Sequence, residues 1–149
     1  MIRRFPFLLA ALATVAGAVS FWALAAKALT QGPLVLIQAS GQIQVRNTES
    51  RFQRVRMAVY QPRLVDGRKT AAEEPLAVEE AERIVSFRPS SFRLGAGEAR
   101  SIRYRVLDVS REFYVCSVSA SGLTSLRVCS RWPGRAVKPA SPGPKQGQP

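Results

Sequence analysis

The sequence predicts an all-β sandwich of about seven short antiparallel strands, preceded by an N-terminal hydrophobic helix. Three observations carry that expectation. Apolar and polar side chains alternate through several short stretches, turn residues separate those stretches, and two cysteines fall where a tight hairpin would set them face to face.

Met1 to Arg4 is a basic head, and Phe5 to Ala26 is an uncharged run of 22 residues rich in Ala, Leu and Val. That is the build of an export segment. Ala23-Leu24-Ala25 and Ala26-Lys27-Ala28 both place small residues where signal peptidase reads them, so cleavage would start the mature chain at Ala26 or Leu29. The run also reaches the roughly 20 residues that a transmembrane helix needs. Residues 1–28 are therefore a signal peptide or a membrane anchor, and either directs the chain to the periplasm or the cell envelope.

A single domain is expected over residues 33–133. Leu34 to Ile37 is a continuous apolar run suited to a buried or edge strand. Ile43 and Val45 then face away from Gln44 and Arg46. In Gln53 to Tyr60, Val55, Met57 and Val59 lie on one face and Arg54 and Arg56 on the other. Ser101 to Leu107 repeats the arrangement, with Ile102, Tyr104 and Val106 against Arg103 and Arg105. Both are half-buried strands with basic outer faces, because side chains two apart share one face of a sheet. Ile84 to Arg88 adds a strand closed by Pro89, and two more surround Cys116 and Cys129. Thr70 to Arg83 breaks the rhythm: it holds Glu73, Glu74, Glu79, Glu80 and Glu82 and is interrupted by Pro75. A surface loop or a single helical turn is expected there. Beyond the domain, residues 134–149 are rich in Pro, Gly and Lys and have too little apolar surface to offset the entropy of ordering, so a disordered tail is expected.

Turn arithmetic tests the cysteines. If Glu112 to Ala120 and Thr124 to Trp132 form a hairpin with Gly122-Leu123 as its two-residue loop, the Gly-X order suits a type II′ turn. Ser121 then faces Thr124, and Cys116 faces Cys129 at a non-hydrogen-bonded pair, where Cα atoms are about 4.5 Å apart. That separation admits a disulfide. The same register pairs Phe113 with Trp132, puts Val115, Leu126 and Val128 on their face, and leaves Tyr114, Val118, Arg127 and Arg131 on the cysteine face. Closing a loop of this size contributes roughly 3 kcal/mol in the chain-entropy picture. Two free thiols in a metal or redox site would be the competing use, but there is no Cys-x-x-Cys spacing.

Histidine is absent, which removes the commonest general base and the commonest neutral metal ligand. The acidic stretch has no nucleophile beside it, so no catalytic residue, metal site or cofactor is expected and the chain does not read as an enzyme. Without residues 1–26, 20 Lys and Arg stand against 10 Asp and Glu. Such a balance favours anionic partners: an acidic protein face, or an anionic membrane or glycan surface. Nucleic acid is not expected, since export separates the chain from it.

Several pieces occur in a suggestive order: Val45-Arg46-Asn47, Val55 to Val59, Asp66-Gly67, Phe87-Arg88-Pro89, Phe92-Arg93-Leu94 with Gly97-Glu98, and Ile102-Arg103-Tyr104. Over roughly residues 34–133 the chain resembles the N-terminal domain of periplasmic pilus-assembly chaperones, in a single-domain form. The resemblance implies an immunoglobulin-like sandwich that lends a strand to a pilus or other secreted subunit, a form of β-augmentation. It implies a protein partner at the edge formed by Thr124, Leu126, Arg127, Val128 and Arg131. By position in Arg127-Val128-Cys129-Ser130-Arg131-Trp132-Pro133, Arg127 would hold the subunit's terminal carboxylate through a charge-assisted bond. The alternative is a membrane-anchored structural or adhesive envelope module whose basic face holds anionic lipid or glycan.

Overall fold

The computed structural model describes residues 29–121 and 124–135. Residues 1–28, expected as a signal peptide or anchor, residues 122–123, expected as the hairpin loop, and residues 136–149, expected as a disordered tail, lie outside the described residues. In chain order the elements are β1 (Leu29–Gly32), β2 (Ser40–Asn47), β3 (Gln53–Tyr60), β4 (Pro62–Val65), β5 (Arg68–Ala71), α1 (Val78–Ile84), β6 (Val85–Arg88), β7 (Ser91–Leu94), β8 (Ala99–Val106), β9 (Phe113–Ser121) and β10 (Thr124–Trp132).

Two four-stranded antiparallel sheets, ordered β1-β2-β8-β6 and β10-β9-β3-β7, form an immunoglobulin-like sandwich, and β4 pairs with β5 as a separate hairpin. Alternation places the core as expected. Val55, Met57 and Val59 of β3, Ile43 and Val45 of β2, and Ile102, Tyr104 and Val106 of β8 are all buried, while Arg54, Arg56, Arg103 and Arg105 face solvent. Phe113 and Trp132 are fully buried across the β9–β10 pair, with ring centroids 6.3 Å apart. Each contributes roughly 2 kcal/mol by area removed from water. The indole N–H of Trp132 donates to the Val109 carbonyl at 3.2 Å, which keeps the polar end of the ring satisfied.

Three expectations need correction. The first strand is Leu29–Gly32, ahead of the expected boundary, and Leu34 to Ile37 is not a strand. Leu34 and Ile37 are 66% and 74% exposed, Leu36 alone is fully buried, and Val35 makes one parallel bridge with Arg131. A continuous apolar run carries no alternation to reveal which side chains face the core, and β1 was hidden because one of its two inward positions is the polar Gln31.

The second correction concerns Thr70 to Arg83. Thr70 and Ala71 end β5, and Val78–Ile84 form a seven-residue helix with Glu79 and Glu80 in its first turn, where carboxylates complement the helix dipole. The third is strand number: β4, β5 and β7 add to the seven expected. β4 and β5 are joined by Asp66-Gly67 with φ of 49° and 74°, the paired positive values of a type I′ turn. Their flanks are mostly exposed and basic and show no apolar alternation, so only the turn announced the hairpin.

Asn47, fully buried, ties the end of β2 to the end of β7. Its amide donates to the carbonyls of Arg51 at 2.7 Å and Gly95 at 2.9 Å, and its oxygen accepts from the Glu49 N–H at 2.9 Å.

The Cys116–Cys129 disulfide is present, with Cα atoms 4.0 Å apart. The register runs from Thr124 opposite Ser121 to Trp132 opposite Phe113. Replacing both cysteines by alanine is expected to lower the unfolding free energy by about 3 kcal/mol. Urea unfolding should show an earlier midpoint with little change in the slope of the native baseline, and an unchanged midpoint would refute the contribution.

Candidate functional site

The expected site residues lie on β10, an edge strand whose two sides differ. One side is fully paired with β9. On the other, the Arg131 N–H donates to the Leu34 carbonyl and the Arg131 carbonyl accepts from the Leu36 N–H, both at 2.8 Å. Backbone groups alternate direction along a strand, so those of Ser125, Arg127 and Cys129 point the same way as those of Arg131. Among the described residues nothing pairs with these three. The edge is thus closed at the Arg131 end by the chain's own Leu34 to Leu36 and open from Ser125 to Cys129.

The closed end is anchored from below by Gln31 of β1, which the sequence did not single out. Its amide donates to the Val115 carbonyl at 2.9 Å and to the Ser130 hydroxyl at 2.8 Å, and its oxygen accepts from the Ser117 N–H at 3.0 Å. Ser130 in turn donates to the Pro33 carbonyl at 2.5 Å. A buried amide left unpaired would cost roughly 1–3 kcal/mol, so these bonds are what make a glutamine tolerable between the sheets. Sequence could have offered one signal, the period-2 spacing of Leu29 and Gln31, but polarity at an inward position reads as the wrong face.

Side chains along the open stretch divide by parity. Leu126 and Val128 point inward and are only half-buried, because the edge above them has no neighbour. Arg127 and Arg131 lie on the outer face, and both are engaged. One nitrogen of Arg127 donates to the carbonyls of Ala72 at 2.6 Å and Glu73 at 3.2 Å, while its guanidinium sits 4.6 Å from the centre of the Tyr60 ring. Its other N–H groups stay available to an acceptor. Arg131 binds the Glu112 carboxylate at 2.6 Å, and Lys69 binds the same carboxylate at 2.6 Å. Thr124 is the first residue of β10, and it pairs with Ser121.

These contacts fold the β4–β5 hairpin against the outer face of the β9–β10 sheet. Tyr114 donates from its hydroxyl to the Lys69 carbonyl at 2.9 Å. Beneath lies a second small core of Tyr60, Tyr114 and Cys116, with Ala71, Val118 and Cys129 against it. Among the described residues no group of acidic or sulfur ligands is arranged to hold a metal ion.

No family model matches the chain, and no curated protein matches it. Solved structures do. The class 5 fimbriae chaperone CfaA superposes with a TM-score of 0.50 and 15% identity, over 72% of this chain and 57% of its own. A chaperone and tip-adhesin complex of CFA/I fimbriae gives 0.50 and 15%, over 72% and 56%. The CupB2 chaperone of Pseudomonas aeruginosa gives 0.48 and 19%, over 68% and 52%. This chain spans little more than half the length of those structures. The sandwich therefore has the fold of the pilus chaperones, which is the fold that the resemblance in sequence implied.

Glu112 joins the hairpin to β10. Burial alone would raise its carboxyl, but the hydrogen bonds and charges of Lys69 and Arg131 outweigh burial and hold it below the usual carboxylate range. A depressed folded value stabilises the protein above the unfolded value of about 4.3 and stops doing so as pH falls through the folded one. Glu112→Gln should therefore cost about 1 kcal/mol near neutral pH. The difference from the parent chain should vanish in acid below the folded pKa, as read by urea unfolding across that range. A cost that persisted there would mean packing rather than charge.

Proposed function

We propose that the protein is an exported, non-enzymatic chaperone domain of the periplasm that binds pilus or other secreted subunits by strand complementation along β10. The observation that carries this reading is the run of open backbone positions Ser125, Arg127 and Cys129, beside the half-buried Leu126 and Val128. An incoming strand would complete the ladder with its own N–H and C=O groups and cover the two apolar side chains. The pilus-chaperone fold supports it, and so does the similar solved structure of a chaperone in complex with a tip adhesin. Arg127 would present its remaining N–H groups to the subunit's terminal carboxylate, already held in place by two carbonyls and the Tyr60 ring.

Hydrogen exchange on the chain mixed with a strand-deficient pilin subunit should protect the amides of Ser125, Arg127 and Cys129. Arg127→Ala should weaken the complex about tenfold, and Arg127→Lys should do so less, because it keeps the charge and loses the planar fork. Absence of a complex, or protection confined to other strands, would rule the reading out.

A second reading, attachment to an anionic lipid or glycan surface, has one observation in its favour. On the outer face of the β1-β2-β8-β6 sheet, Arg88 stands directly opposite Arg103, with Arg105 two residues along, and among the described residues none of the three side chains is ion-paired or hydrogen-bonded. Like charges set opposite each other across strands are destabilising, and an anion would relieve them. Retention on anionic vesicles that falls steeply as salt rises, and is lost when all three become Gln, is the outcome expected of this reading. Indifference to those substitutions would dismiss it.

A further inference from the structure

The sandwich has a second edge, away from β10, where β6 ends one sheet and β7 the other. A groove of about 770 Å3 opens there, lined by β6, by β3 from Arg56 to Val59, and by the chain from Pro75 into α1. Met57, Leu76, Val85 and Phe87 make it apolar, and Val78 on its border is 67% exposed.

Its two strand walls are unlike. On β3 the outward backbone groups are taken: the Met57 N–H donates to the Ser90 carbonyl and the Val59 carbonyl accepts from the Leu76 N–H, both at 2.8 Å. On β6 all but one are open. The Leu107 N–H donates to the Ile84 carbonyl at 2.8 Å, and the register sets Val85 opposite Val106. Alternation then turns the backbone groups of Ser86 and Arg88 toward β8 and those of Val85 and Phe87 toward the groove. On that side the Val85 N–H donates to the Ala81 carbonyl, and among the described residues nothing pairs with the Val85 carbonyl or with the N–H and carbonyl of Phe87.

The charge on the lining is unbalanced in one direction. Among the described residues the side chains of Arg56 and Arg88 have neither an ion pair nor a hydrogen bond, against a single acid on the lining, Glu82. That combination selects the occupant. The chain's own residues after Arg135 bring Lys138 and Lys145, no acid, and prolines that cannot donate to a ladder. The β10 edge of a second copy would bring Arg127 and Arg131. We infer that the β6 edge is a second docking site, independent of β10, for an extended segment of another protein in which acidic residues alternate with apolar ones. Its backbone would pair with the N–H and carbonyl of Phe87 and with the Val85 carbonyl, its apolar side chains would enter the groove against Met57 and Leu76, and its carboxylates would meet Arg56 and Arg88.

The test uses the intact chain and a dye-labelled synthetic peptide alternating Val and Glu, with a Val/Lys peptide as control. Fluorescence anisotropy should show the acidic peptide bound about tenfold or more tightly than the basic one. Hydrogen exchange should show new protection of the Phe87 amide while those of Ser125 and Arg127 exchange unchanged. Arg56→Gln combined with Arg88→Gln should weaken binding about tenfold and leave the thermal unfolding midpoint in place. Equal affinity for the two peptides, protection appearing on β10, or a double variant that binds normally would overturn the inference. So would sedimentation showing that the groove is filled by a second copy of the chain that the acidic peptide cannot displace.

Discussion

The pairing of β9 with β10 is the constraint on which the rest of the molecule depends. A slip of one residue would exchange the two faces of β10, sending Trp132 and Val128 to solvent and Arg127 and Arg131 into the core. Two unrelated features hold the register against that slip: a cystine on the outer face and the Phe113–Trp132 contact on the inner one. Because both are satisfied only together, they also decide which backbone groups of β10 face its free edge.

How much of that edge stays free is decided by the first strand. The chain enters as β1 in one sheet, passes Pro33, and arrives beside Arg131 in the other, so that eight residues serve both layers. Gln31 and Ser130 join the layers where the chain crosses. The self-cover stops at Arg131, so that among the described residues the outward backbone groups of Ser125, Arg127 and Cys129 have no partner. An edge of this kind invites unwanted pairing in most proteins, and charged side chains along an edge are one of the ways proteins discourage it.

The two edges of the sandwich are chemically alike in being basic and different in what lies beneath them. Beside β10 the neighbouring cations are already bound to carbonyls or to Glu112, so they position structure as much as they present charge. Beside β6, among the described residues, the side chains of Arg56 and Arg88 are uncommitted and an apolar groove lies between the layers. Basicity read from composition alone does not separate these cases. An arginine whose donors are occupied and one whose donors are idle count equally in the net charge.

Local periodicity was enough to establish β2, β3 and β8, the hairpin register and the disulfide, because each depends on side chains a few residues apart and on the pleat that sorts them. The same reasoning failed at Leu34 to Ile37, where apolar side chains follow one another without alternation, and at Leu29–Gly32, where a buried glutamine takes an inward position by bonding to groups some 84 to 99 residues away. It also could not see that Arg127 would spend one nitrogen on Ala72 and Glu73, since that contact requires the β4–β5 hairpin to fold back over the sheet. What the sequence determined by itself was the set of strands that repeat a pattern and the faces they turn inward. Which edges remain open, and which cations remain unpaired beside them, was decided only when distant segments met, because hydrogen bonds between them leave no period in the chain.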